Sequence, residues 1–380
     1  MVARDGLLFG LPLLPWVIIV GIYRNGSGAF DLHVFWVAAH SIAHGISPYD
    51  PTAVAHERAL VLAHSKSTLS AAWAVYPPAL YAALVPFGLL PWHVAAPVGI
   101  AAIAAAAFLA LRVMGVRDWR CYAVAAGSVP FAMTVVEGSI STCLMLATAL
   151  AWRGRAPIVS TAAALVAKLF VWPTVFVVAA LYGYRRAALL LLGSLAAVLG
   201  SWAIIGFDSM MQYPKMLSDL SAAEGLDSFS SAGLVHALGG APRIGQYAGE
   251  LLGLALAILA FLLARRGQRD AAFTLAILSA LLASPIVWTH YFVLLYLPLA
   301  AHAKRFSMLW LVPLPMWLGH PLAAKGHLSA FLATWPCIAI ILFVALRAML
   351  AARPVDRSLQ LTPLTCGELA AGRRGTPAIP

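Results

Sequence analysis

The chain has 380 residues, of which 62% are hydrophobic and only 10% charged, with a formal net charge of +11. So small a charged share excludes an ordinary soluble domain, in which roughly one residue in four is charged. The Lys and Arg residues fall in short clusters between apolar runs and build no single basic face, which argues against a nucleic-acid partner and fits positive-inside sorting in a membrane.

The apolar runs are about 15 to 22 residues long, close to what crosses roughly 30 Å of hydrocarbon as helix. Backbone groups in lipid must be paired within the segment, so the expected fold class is an all-α polytopic membrane protein. Gly6 to Tyr23 reads as the first span, a retained anchor with Arg4 on its inner flank. The loop over 24–75 follows outside. Within it, Phe30 to His44 reads as an amphipathic interfacial helix with His33, Trp36, His40 and His44 on one side, and Thr52 to His64 as a second. Tyr76-Pro77-Pro78 opens a short run, broken by Pro86 and ending at Pro91, that suits a re-entrant or outer-leaflet helix.

His93 to Met114 then crosses inward to Arg112, Arg117 and Arg120. Cys121 to Val136 goes out to the turn Glu137-Gly138-Ser139, Ile140 to Trp152 returns to Arg153 and Arg155, Pro157 to Val171 goes out, and Thr174 to Tyr184 returns to Arg185-Arg186. Ala187 to Gly206 leads out to a second long polar loop over 207–243. Ile244 to Ala264, Ala271 to Val287, Tyr291 to Ala303, Phe306 to Pro321 and Leu328 to Arg347 complete the expected set. That makes about 12 crossings with both termini inside, basic clusters alternating with polar turns. The expected domain is therefore 1–350, followed by a disordered cytoplasmic tail over 351–380.

Cys121, Cys143, Cys337 and Cys366 form no CxxC pair, and neither a disulfide nor a cysteine metal site is expected. Seven residues along a helix is about 10 Å, so His33 and His40 cannot share an ion; His40 and His44 could chelate one, but the chain reads as metal-independent and without a cofactor.

With this threading, Asp31, Glu137, Lys168, the loop around Ser230 and His290 come to the outer face or within about two turns of it. Ionisable groups at that depth are costly in lipid and mark a pathway or a site. Asp31 equally suits the cap of the helix beginning beside it, and Lys168 suits a lysine reaching for headgroups.

These residues also carry a resemblance. An Asp in the first outer loop, His44-Gly45-Ile46-Ser47-Pro48-Tyr49, Tyr76-Pro77-Pro78 with Leu90-Pro91, Ala167-Lys168-Leu169-Phe170 with Pro173, Phe229-Ser230-Ser231-Ala232-Gly233-Leu234, and Ser284-Pro285 with Trp288-Thr289-His290-Tyr291 follow one another in the order seen in glycosyltransferase family 87. The chain resembles that family's polyprenol-phosphate-mannose-dependent mannosyltransferases over roughly residues 5 to 350. Gly138-Ser139 stands where many members carry Gly-Gln, and Lys168 lacks the Pro that usually follows it. The resemblance implies a GT-C-type fold with extracytoplasmic loop helices. It implies an inverting hexosyl transfer, most often of mannose, from a polyprenyl-phosphate donor to a lipid or glycan acceptor at the outer face of the inner (plasma) membrane.

That chemistry asks for a general base, assigned to Asp31, and for donors or cations at the leaving phosphate, assigned to His290, Lys168 and Arg24. Glu137, Ser230 and Tyr76 are expected to line the substrate site. A transporter of lipid-linked sugars is the rival reading, but it calls for ionisable groups near the midplane and repeated halves, whereas the candidates here gather at one face.

Overall fold

The computed structural model describes residues 10, 17, 21, 28–50, 74–319 and 324–351. All but residues 10, 17 and 21 of the expected first span, Arg24, the helix over 52–64 and the tail beyond residue 351 lie outside the described residues. Those described are helical, with no strand among them. In chain order the α-helices are α1 Phe30–Ala43, α2 Pro78–Ala83, α3 Val85–Gly88, α4 Trp92–Met114, α5 Trp119–Ala126, α6 Val129–Glu137, α7 Ser141–Trp152 and α8 Pro157–Ala167. They continue as α9 Thr174–Tyr182, α10 Tyr184–Ile205, α11 Tyr213–Glu224, α12 Ser231–Ala237, α13 Pro242–Arg265, α14 Arg269–Ala283, α15 Tyr296–His302 and α16 Leu328–Ala351.

Four of these, α4, α10, α13 and α16, are long and apolar enough to cross a membrane, and α6 with α7 make a fifth if a pair bent by 118° counts as one span. The count of about 12 crossings is finer than these helices establish. Several expected spans are interrupted: 157–171 ends as α-helix at Ala167 and continues as a 3₁₀ turn over Leu169–Val171, 291–303 begins as 3₁₀ helix over Thr289–Leu295, and the described residues of 306–321 hold only the 3₁₀ turns Met308–Leu311 and Leu314–Leu318. Proline explains part of this, because Pro173, Pro313 and Pro315 each remove a backbone donor.

The outward side chains behave as lipid would require. Leu189, Leu192 and Leu195 on α10 and Leu251, Ile258 and Leu262 on α13 are exposed large hydrophobics, an arrangement that water would penalise and hydrocarbon does not. Behind them α14 is buried from Ala271 to Leu282. It packs close to α13 because glycine lines the contact: a Cβ on Gly253 would sit 2.5 Å from Ala283 Cβ, and the Ser279 hydroxyl donates to the Gly253 carbonyl at 2.6 Å.

One expectation is corrected. Helix α1 forms where it was read, and His40 and His44 toward its end are exposed as expected, but it does not lie on the surface along its length and His33 is buried. Leu32, His33, Val34, Phe35, Val37, Ala38, Ala39 and Ser41 are all buried, because α2, α3 and α4 pack around it. His33 lies against the Trp92 ring at 4.5 Å, and Gly88 of α3 meets the α1 backbone so closely that a Cβ there would lie 2.6 Å from His40 N.

Candidate active site

Helix α1 starts against the end of α6. Ala29 N–H donates to the Val136 carbonyl at 2.6 Å, and α6 stops at Gly138 with φ +69°, a conformation glycine adopts without strain. A Cβ at 138 would lie 2.5 Å from Leu32 Cβ, so only glycine lets the turn come this near. The turn hands Ser139 to Asp31: its hydroxyl donates to the Asp31 carboxylate. Asp31 therefore does not cap its own helix. The cap position is Ala29 in a left-handed conformation, without a side-chain cap bond.

Lys168 reaches the same place from the far side. Helix α8 breaks there, with Lys168 extended at φ −158°, and the ammonium enters a slot between two tyrosines. Nζ donates to the Tyr291 hydroxyl and, at 3.4 Å, to the Tyr76 hydroxyl. It lies 3.7 Å from the Tyr291 ring centroid and 4.9 Å from that of Tyr76, and such cation–π contacts strengthen as water is removed. This is not a lysine stretching toward headgroups. Phe35 of α1 backs Tyr76 at 4.9 Å and Phe170 backs Tyr291 at 5.0 Å.

Burial raises the Asp31 carboxyl from 3.8 to about 6, a rise that the Lys168 charge and the Ser139 hydroxyl restrain. Burial first, and then the Asp31 charge, raises the Glu137 carboxyl at the end of α6. Asp31, Glu137 and Lys168 are partly exposed, whereas Tyr76, Tyr291 and Ser139 are buried.

His290 stands one residue from this slot. Its ring is 4.8 Å from that of Tyr291, its carbonyl accepts from the Thr134 hydroxyl at 3.3 Å, and its buried Nε2 has no hydrogen-bond partner. Burial, then the Lys168 charge, holds the imidazole well below its ordinary range. It is neutral at physiological pH and supplies a donor or acceptor, not a cation. Ser230 is placed otherwise. Its hydroxyl accepts the Gly233 N–H as the cap of α12 and donates to the Gly225 carbonyl at 3.0 Å, so it shapes the second loop. That loop nonetheless reaches the site, because Phe229 N–H donates to the Val287 carbonyl at 2.7 Å, three residues before His290. Among the described residues no group of three His, Cys, Asp or Glu side chains is placed to hold a metal ion.

The family model for glycosyltransferase family 87 matches residues 73–285, more than half of the chain. The chain belongs to glycosyltransferase family 87. Family membership and the long apolar helices together make it a membrane glycosyltransferase. No curated protein and no solved structure matches it. The span matched to glycosyltransferase family 87 contains Tyr76, Glu137, Lys168 and Ser230; Asp31 and His290 join them only through the fold. Two participants were not singled out by sequence. Ser139 had been noted only as a departure from Gly-Gln, and Tyr291 only as the neighbour of His290; the signal for each was adjacency to a chosen residue.

Proposed function

We propose that this family 87 enzyme transfers a hexose, mannose, from a polyprenyl-phosphate donor to an extracytoplasmic lipid or glycan acceptor in the plasma membrane. One observation carries the reading: a partly exposed carboxylate on α1 and an ammonium at the break after α8 converge, and each is held by its own hydroxyl partner. Asp31 takes the proton from the acceptor hydroxyl as its oxygen bonds to the anomeric carbon. The bond from that carbon to the phosphate oxygen breaks, and its electron pair stays with the phosphate. Lys168 faces the growing negative charge, and a neutral His290 adds an N–H donor behind it. A single displacement of this kind inverts the anomeric centre. Base, cation and lipid donor together account for the chemistry, and no further cofactor enters the proposal. Glu137 serves as an acceptor for a sugar hydroxyl, and the Tyr76 segment with its two short helices borders the path of the polyprenyl chain.

The test is transfer in proteoliposomes from radiolabelled polyprenyl phosphate mannose to a lipid extract of the source cell. Wild type makes product, Asp31→Asn makes about 10²- to 10⁴-fold less, and Lys168→Met about 10²- to 10³-fold less. Asp31→Asn working like wild type would remove the assigned base. Failure of wild type to consume any polyprenyl-linked sugar would remove the donor class.

A further inference from the structure

The Tyr76 segment has an unusual hydrogen-bonding problem. It lies outside any helix, and Pro77 and Pro78 follow it, so no helical ladder runs through it and the residue before each proline stays extended. Its backbone groups are instead met by phenols. The Tyr213 hydroxyl donates to the Val75 carbonyl at 2.8 Å, the Tyr49 hydroxyl donates to the Tyr76 carbonyl, and Tyr76 N–H donates to the Tyr81 hydroxyl at 3.3 Å.

These phenols come from three distant parts of the chain: Tyr49 from the segment after α1, Tyr81 from α2, and Tyr213 from the start of α11 in the second long loop. They are also packed on one another. Tyr49 meets Tyr213 edge-on at 5.6 Å and Tyr81 at 6.2 Å, and Trp202 near the end of α10 closes the group, 4.8 Å from Tyr49 and 5.8 Å from Tyr213. The far end of Tyr76 is its hydroxyl, which accepts from Lys168 Nζ. A displacement of the clamped backbone is therefore passed through one rigid ring to the ammonium.

We infer that Tyr49, Tyr81 and Tyr213 are positioning residues for the transfer reaction, a three-phenol clamp on Val75 and Tyr76 that sets Lys168 against Asp31. As a role in catalysis this rests on the function proposed above for Lys168. It also gives the second loop a task that its sequence does not announce: α11, none of whose side chains is buried, contributes its first residue to the geometry of the site.

The experiment pairs two readouts on the full-length protein in proteoliposomes, using Tyr213→Phe and Tyr49→Phe, which keep the rings and delete one hydroxyl each. The first is the rate at which a small amine-reactive ester modifies Lys168, read by peptide mass spectrometry with Lys304 as internal reference. The clamp requires Lys168 modification to rise several-fold in both variants while Lys304 is unchanged; unchanged Lys168 modification overturns it. The second is transfer kinetics. Tyr213→Phe should lower kcat about tenfold with the donor KM little changed, and should have almost no further effect in a Tyr76→Phe background, because the route through the Tyr76 hydroxyl is then already gone. Equal losses in both backgrounds overturn that route. Should wild type transfer nothing while Lys168 modification still rises in the variants, the clamp stands and the proposed function falls.

Discussion

Replacing Asp31 by Asn should stabilise the folded protein at neutral pH while removing its activity. The reason is the cost of the ionised carboxylate. Its folded-state value of about 6, against 3.8 for a free aspartate, means the native chain holds this proton on the order of 100-fold more tightly than the unfolded chain, equivalent to about 3 kcal/mol. Because Asp31 is partly exposed, solvent screening reduces this to about 1–2 kcal/mol. The sign follows from the raised value. The stability contributed by the protonated group is fully present below pH 3.8 and is lost as the pH rises through about 6. Asparagine never ionises and so escapes the loss. Apparent melting of the detergent-solubilised protein at fixed heating rate should therefore favour Asp31→Asn at pH 7.5 and show a much smaller difference at pH 4.5. A variant that melts lower than wild type at pH 7.5, or by the same margin at both pH values, would refute the desolvation argument. The same group predicts that kcat/KM climbs with pH through about 6, as a base that must first lose its proton requires, and because burial lowers the Lys168 ammonium to about 7, the rate should fall again above that.

Two further substitutions separate the site from its scaffold. Gly138→Ala combines a positive φ with a Cβ 2.5 Å from Leu32 Cβ, and should cost about 1–3 kcal/mol by forcing the turn away from α1. Since that turn carries Ser139, transfer should fall more steeply than melting temperature, and equal activity per folded molecule would count against the coupling. Asp118→Ala is the scaffold control. Asp118 caps α5, pairs with Arg120 at 2.8 Å and accepts the Phe306 N–H at 3.0 Å, which ties α5 to the segment before α16. Loss of cap and pair should cost about 1–2 kcal/mol at pH 7 with transfer by the folded protein unchanged. The Arg120 guanidinium first, then the backbone bonds, hold the Asp118 carboxyl at about 2, so the difference from wild type should fade as pH drops from about 4 toward 2, measurable by acid titration of near-UV circular dichroism.

The sequence by itself determined the class of the molecule and its candidate residues. Apolar length and scarce charge dictate membrane helices, and the bounds of α4, α10, α13 and α16 follow the apolar runs to within a few residues, because hydrocarbon enforces both length and composition. Asp31, Lys168 and His290 stood out for the same reason: a titratable group among apolar neighbours is conspicuous along the chain. What tertiary structure alone decided is how those groups are used. The burial of most of α1 was invisible because its histidines and tryptophan read as one exposed polar stripe; His40 and His44 do stay exposed, but Gly88 packs on the α1 backbone and Trp92 covers His33. Lys168 read as a lysine near a helix end until the fold brought Tyr76 and Tyr291, 92 and 123 residues away, to its ammonium. Hydropathy and local spacing are properties of neighbours in sequence. The field at a carboxylate and the slot around an ammonium are set by neighbours in space, and those exist only once the chain has closed.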